Sequence, residues 1–477
     1  MAAQLANDRL AETMRRAGLS NKALARRIRA MSQKQGKPIA CDHTSVSRWL
    51  AGTVPRAQTA RLIAEVLTEC LGAQMSLSEL GLTASEPFEP AEAIRYGNLP
   101  DGAVDVAARL WRADLAEAQA ILKSTVVANA WSDVALSWLV QAQDARSQKT
   151  PGRVGSADLT AVRTTINMFS QLDGTFGGGH ARRALIEFLH TDVLPLLQQT
   201  CPSHIAPALY EVAAEGTLLC AWMTYDAGLH GLAQRYFVQA LELADEAGER
   251  LLGASILDAM SHQATFLGHT HAAANLARAA KSSIRGVESP SLEAHFNAME
   301  ARALAAEGDS PGAQRALSAT ARVFERRDPQ TDPEWFGYFD DTELSAEFGH
   351  CFRDLGRTQD AIAYAERAIS GTTPRSDFFV MMVKAVAYLD QPKSKGADPE
   401  AACEAASAAL ELGLGVKSAR CVQYVKDFRE KLGPFEKTRV AQELAEANAD
   451  CVIWKLGQPA TAGARYSGRQ SRRLAPV

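Results

Sequence analysis

The stretch "AGLHGLAQRYFVQALELA", residues 227–244, sets one glycine, Gly228, ahead of Ala233, Phe237 and Ala240. The same Gly-x4-Ala-x3-(apolar)-x2-(Ala/Thr) pattern starts again at Gly268, Gly308, Gly356 and Gly396. These glycines are separated by 40, 40, 48 and 40 residues. The longer interval holds "RRDPQTDPEWFGYFDD", residues 326–341, whose prolines and aromatics predict an inserted loop. A looser sixth copy, Gly179/Ala184/Phe188/Thr191, lies 49 residues before the first. Glycine permits a tight turn out of one helix, and small residues three or four apart on the next let two backbones approach. Each unit therefore reads as a helical hairpin. One hairpin cannot bury its apolar face alone, so the units are expected to stack into an array.

"AGLHGLAQRYFVQALELA" and "LGRTQDAIAYAERAI" (residues 355–369) resemble the turn and second helix of tetratricopeptide repeats. The period of about 40 exceeds that repeat's 34 or so, which implies longer helices and leaves a HEAT-like array as the structural alternative.

A second informative stretch is "CDHTSVSRWLAG", residues 41–52. Asp42 is placed to cap a helix that starts at His43, Val46, Trp49 and Leu50 fall on its inner face, and Gly52 supplies a left-handed exit. Before it, Ser20 is placed to cap "NKALARRIRAMSQ", with Leu24, Ala25 and Ile28 inward. A first helix carries Leu5, Leu10 and Met14 and ends near Gly18; a fourth is predicted from about Arg56 to Leu71. Residues 1–81 hold 12 Lys and Arg against 6 Asp and Glu, a net of +6, while the remainder carries −10. The basic end is the part suited to a polyanion.

Thr44-Ser45-Val46-Ser47-Arg48-Trp49-Leu50-Ala51-Gly52 is similar to the "S-T-I-S-R-W-E-x-G" form of XRE-type helix-turn-helix regulators. That resemblance implies DNA base reading by His43, Thr44 and Arg48, with Ser45 and Ser47 beside them, and phosphate contacts from Asn21, Lys22, Thr53 and Arg56. Ala25 and Val46 are 21 positions apart, about twice the interval usual in that class, because "RAMSQKQGKPIACD" lengthens the second helix and its turn. The extension, followed by "DHTSVSRW…G…P" and "LIAEVL…LG", resembles actinobacterial regulators that join such a domain to tetratricopeptide-like repeats. Among them it is most similar to the NsdA-type regulators of Streptomyces differentiation and antibiotic production.

The expected fold is all-α. Its expected organisation is a helix-turn-helix domain at residues 1–82, a linker and helical connector at 83–157, the repeat array at 158–454 and a basic, disordered tail at 455–477. Trp111, Trp131 and Trp138 are the expected anchors of the connector. Hydrophobic residues at 47% and charged residues at 22% are ordinary for a globular chain, and no 18-residue apolar run offers a membrane span. The N-terminal stretch lacks the apolar centre of a signal peptide, so a cytoplasmic, nucleoid-associated protein is expected. Eight cysteines without a C-x-x-C pair suggest reduced, buried thiols; Cys41, which adjoins the motif, reads as a packing cysteine, with oxidation there as the alternative.

No phosphate-binding loop, H-E-x-x-H or G-x-S-x-G signature is present, and neither enzymatic activity nor a cofactor is expected. "DGTFGGGHARR" (173–183) reads either as amides around an anion, with Arg182 and Arg183 nearby, or as a turn between helices. His269 and His271 lack a third ligand at helical spacing and read as turn residues rather than a metal site. Trp222 and Tyr225, in the first clear repeat, and Trp335, Phe336 and Tyr338, in the inserted loop, are candidates for a ligand or dimer contact; Tyr236 and Phe237 also belong to the first cluster.

These readings lead to a sequence-specific DNA-binding regulator, a repressor by its resemblance, with double-stranded DNA and a second copy of itself as partners. Its repeats are expected to dimerise and to take a peptide or small-molecule signal. The alternative is an adaptor scaffold that uses the repeats for protein partners and does not bind DNA.

Overall fold

The structure, a computed structural model, describes residues 7–35, 38–72, 75, 77, 80–82, 88–97, 102–140, 154–392 and 396–458. Leu5, residues 141–153 of the expected connector and the tail beyond Gln458 lie outside the described residues. The chain divides into two units, Met1–Glu89 with Arg112–Ile121, and Pro90–Trp111 with Leu122–Val477. The stretch expected as a separate connector, 83–157, is thus shared between them.

In the first unit, side-chain caps start three of the four helices. Asn7 accepts from Leu10 N at 3.0 Å to open α1 (Asp8–Arg16), and Ser20 accepts from Ala23 N at 3.3 Å to open α2 (Asn21–Lys34). Asp42 opens α3 (His43–Leu50), and α4 (Ala57–Leu71) ends at Gly72 with φ 67°. Leu10, Met14, Leu24, Ile28, Val46, Trp49, Ile63 and Leu67 share one apolar cluster. Asn7 also donates to Leu80 O and Gly81 O, both at 3.0 Å, which ties the chain after α4 to the start of α1.

α5 (Gly102–Leu115), α6 (Gln119–Leu122) and α7 (Ala128–Val140) follow. Trp111, Trp131 and Trp138 are at most 1% exposed, as anchors should be. Next come α8 (Ser156–Phe176) and α9 (Gly178–Phe188), which continues through a π turn at Leu189–Val193 into α10 (Leu194–Gln198). Five hairpins then stack. They are α11 (Ala206–Asp226) with α12 (His230–Ala247), α13 (Arg250–Phe266) with α14 (Thr270–Ser283), α15 (Pro290–Glu307) with α16 (Ser310–Phe324), α17 (Asp341–Asp354) with α18 (Thr358–Ala368), and α19 (Pro374–Leu389) with α20 (Pro399–Leu412). α21 (Ala419–Leu432), α22 (Arg439–Ala447) and α23 (Val452–Leu456) complete the unit, so helix continues two residues past the expected array end.

Gly228, Gly268, Gly308, Gly356 and Gly396 lie in the five hairpin turns with φ of 80°, 79°, 88°, 69° and 76°. A side chain there costs roughly 1–2 kcal/mol, which is why the glycines mark the repeat. The looser copy is displaced. Its turn glycine is Gly177, φ 80°, while Gly179 lies inside α9. The inserted loop falls between α16 and α17, with a single 3-10 turn at Glu334–Phe336.

α12 is buried on nearly all sides because residues 90–97 and 124–127 cover the face that would otherwise meet water. Its polar side chains satisfy the covering backbone. Arg235 Nε donates to Pro90 O at 2.7 Å, Gln239 donates to Ala93 O at 3.1 Å, and Gln234 exchanges two 2.9 Å bonds with Val127. Trp138 on α7 donates to Ser283 Oγ at 2.8 Å and fills the space beside Gly253, where a Cβ would stand 2.1 Å from the indole.

The first and last parts of the array also meet. Lys417 N donates to Phe176 O at 2.8 Å, and Gly179 N donates to Lys417 O at 3.1 Å. The Gly-rich turn is thus a docking edge, and added Cβ atoms at Gly177 and Gly179 would lie within about 3 Å of Lys417 O. Among the described residues there is no strand, and no helix is long and apolar enough to cross a membrane. All eight cysteines are free; Cys41 is buried, and burial raises its thiol pKa.

Candidate nucleic-acid interface

α2 and α3 contain Lys22, Arg26, Arg27, Arg29, Lys34 and Arg48 but no acidic residue. Helical period separates their two faces. On α2, Leu24, Ala25 and Ile28 are buried, while Lys22, Arg26 and Arg29, at i, i+4 and i+7, stand exposed on one side. On α3, Val46 is fully buried and Trp49 8% exposed, whereas His43, Thr44, Ser47 and Arg48 face outward. The polar start of α3 is therefore presented outward from an apolar mount.

Both ends of α3 are fixed. Ser45 N donates to Asp42 Oδ1 at 2.8 Å, and Asp42 N donates weakly to Ser45 Oγ at 3.5 Å, forming a capping box. Hydrogen bonds from Thr44, then from Ser45, hold the Asp42 carboxyl well below the usual carboxylate range. At the other end Gly52 adopts φ 98°, which lets Thr53 N donate to Arg48 O at 2.9 Å.

The nine residues expected to touch DNA fall into three groups. His43, Thr44, Lys22, Arg48 and Arg56 are exposed, although the Thr44 hydroxyl also bonds the Asp42 carboxylate and Arg48 Nη2 reaches Ser45 Oγ at 3.4 Å. Ser45, Ser47 and Asn21 are already engaged: Ser45 closes the cap, Ser47 donates to His43 O at 3.0 Å, and Asn21 donates to Ser47 Oγ at 3.1 Å. Thr53 is half-buried at the exit from α3. Sequence reasoning missed Arg26 and Arg29, although their i, i+4, i+7 relation to Lys22 was visible. With Ser20, Asp42 and His43 they line a groove of about 430 Å³ between α2 and α3.

The five aromatics expected at a ligand or dimer contact do not form one site. Tyr225 is fully buried, and Trp222, half-buried, packs against Tyr225, Phe237 and His262 at ring separations of 5.9, 5.7 and 5.3 Å. Phe336 is 1% exposed beneath its own loop, packed on His295 at 5.6 Å; Trp335 is half-buried and Tyr338 54% exposed. The array itself covers the apolar part of the insertion.

The structure instead brings together polar groups that the sequence scattered. Arg302 donates to His262 Nε2 at 3.3 Å, leaving Nδ1 to carry the proton toward the Tyr225 oxygen, also 3.3 Å away. Burial and then the Arg302 charge hold His262 well below its ordinary pKa, in keeping with a neutral ring. Arg302 also bonds both Glu347 oxygens, at 3.2 and 3.0 Å. The anion at "DGTFGGGHARR" proves internal, because Gly178 N donates to the Asp226 carboxylate at 2.9 Å. His269 packs against Trp131 with ring centroids 5.0 Å apart and the rings tilted by 57°.

The family model of the SP15 N-terminal domain matches residues 10–83, the segment that holds α2, α3, α4 and most of α1. No curated protein matches the chain.

Proposed function

We propose that this chain is a DNA-binding transcriptional regulator whose N-terminal helices read duplex DNA. The observation that carries the reading is the outward face of α2 and α3, which presents cations and short polar side chains on a rigid apolar mount. An exposed helix start of this kind fits a major groove, where Thr44 and Arg48 reach base edges and Lys22 and Arg56 meet phosphates. The resemblance noted in the sequence adds the role of repressor of developmental or antibiotic genes, acting at the nucleoid as a homodimer. The hairpin array supplies the sensing and pairing surface. A peptide or small-molecule signal that favours one array geometry would alter the separation of two reading helices, which must sit about 34–36 Å or a multiple apart.

The test is selection of duplexes from genomic fragments by the full chain, followed by competition with a scrambled duplex. The selected duplex should bind preferentially, and Arg48→Ala should remove about 1–3 kcal/mol of that preference. Equal binding of selected and scrambled duplexes by the unaltered chain refutes the proposal, and a protein partner bound to the array would then favour the adaptor alternative.

A further inference from the structure

We infer that the groove between α2 and α3 is a clamp for DNA backbone phosphates, with Arg26 and Arg29 as its principal anchors beside Lys22. This rests on the DNA-binding reading and says which part of the surface grips the backbone. The groove measures about 430 Å³, and its charged lining consists of Lys22, Arg26, Arg29, His43 and Asp42. The one carboxylate among these is spent locally, since Asp42 accepts from Ser45 N and Ser45 Oγ at 2.8 and 2.9 Å. Among the described residues no carboxylate forms an ion pair with Lys22, Arg26 or Arg29. The contrast within the unit is with Arg15, which pairs with Glu12. Three exposed cations against the single Asp42 carboxylate leave the groove lining net positive, so it gains when a further anion enters.

Geometry selects a polymeric phosphate over an isolated one. Lys22 to Arg29 spans about 10 Å along the helix axis at about 1.5 Å per residue. That matches the axial rise of three nucleotides in one strand, at about 3.4 Å each. The row runs beside α3, since Asn21 at its start bonds Ser47 of α3 and His43 lines the same groove. A strand seated in the groove would bring its major groove to His43, Thr44 and Arg48.

The test measures binding of the full chain to a 30-bp random-sequence duplex by fluorescence anisotropy between 50 and 200 mM salt. Each neutralised phosphate contributes about −0.9 to the slope of log affinity against log salt. Arg26→Gln with Arg29→Gln should make the slope shallower by about 1.8 and weaken random and selected duplexes by the same factor. Both side chains are exposed, and an unchanged melting temperature will confirm that the variant is folded. A slope unchanged by the double substitution, with the unaltered chain still binding DNA, overturns the clamp and leaves the DNA reading intact. Absence of any salt-dependent duplex binding by the unaltered chain overturns both.

Discussion

Asn21, the first residue of α2, donates from its side-chain amide to Ser47 Oγ in the middle of α3 at 3.1 Å. Ser47 in turn donates to His43 O at 3.0 Å, so one chain of hydrogen bonds links the start of α2 to the start of α3. The bond sets how α3 lies across α2 rather than adding much to stability. Asn21→Ala should therefore cost no more than about 0.5–1.5 kcal/mol of unfolding free energy. It should nevertheless lower the ratio of selected to scrambled duplex binding several-fold, because the reading side chains lose their fixed angle. Urea unfolding and competition anisotropy measure the two quantities. A variant with reduced stability but full discrimination would show that Asn21 does not orient α3.

The cap of α3 makes a pH prediction. Asp42 has its carboxyl pKa depressed by the hydroxyl of Thr44 and by the amide and hydroxyl of Ser45. A depressed carboxyl pKa means the unfolded chain takes up the proton first as pH falls. The stabilising contribution is complete above the ordinary aspartate range, near pH 4, and is lost as pH drops toward the folded value. Asp42→Asn keeps an acceptor at the cap without a titrating carboxyl. The loss of melting temperature between pH 6 and pH 3.5 should be smaller in that variant than in the unaltered chain. Equal losses would show that the cap does not titrate in this window.

Asp226 joins parts of the array that are nearly 200 residues apart. Its carboxylate accepts from Gly178 N at 2.9 Å and Ser418 Oγ at 2.8 Å, with Arg375 at 3.5 Å and Arg420 at 4.0 Å. Arg375 keeps Asp173 at 3.0 Å whatever happens to Asp226. Asp226→Ala leaves the Gly178 amide without an acceptor and strips a counter-charge from two arginines. Removing one partner of a buried pair costs about 3–5 kcal/mol. Asp226→Asn preserves hydrogen-bonding capacity and should lose less. Urea midpoints of both variants check the order, and a loss below about 1 kcal/mol for the alanine variant would rule out Asp226 as the closure point.

Glycine conformation made the hairpins legible, because a positive φ at Gly228 or Gly308 is a local demand that leaves a fixed residue at a fixed interval. The three glycines at 177–179 show where that signal fails. Only Gly177 turns the chain; Gly178 is needed because a Cβ would meet Met223 O at 2.4 Å, and Gly179 because Lys417 docks on it. Those demands come from distant segments, so the apparent repeat shifted by two residues. The polar stripe Gln234, Arg235 and Gln239 likewise reads as a solvated face until residues 90–97 and 124–127 cover it. At the candidate interface, period alone separated Val46 and Trp49 from His43, Thr44 and Arg48. Period did not reveal that the Ser45 hydroxyl is committed to the cap or that Arg26 and Arg29 share a groove with His43.

Glu343 on α17 gives the array a pH dependence of opposite sign to the cap of α3. Burial, then the negative charge of Glu347 one turn along the helix, pushes its carboxyl pKa up to about 7; His295 and Arg302 oppose that shift and Asp340 adds to it. A raised carboxyl pKa means the folded array holds a proton that the unfolded chain has released by pH 5 or so. The associated stability is present below the ordinary glutamate range and is lost as pH rises toward 7 and beyond. Glu343→Gln removes the ionising group while keeping its size and a hydrogen-bonding head. The substituted array should melt higher than the unaltered one at pH 8, and its melting temperature should change less between pH 5 and pH 8. Thermal unfolding followed by circular dichroism at both pH values measures this directly. A glutamine variant that melts lower at pH 8 would mean that the ionised carboxylate is favourable where it stands, and that Arg302 and His295 outweigh burial and Glu347.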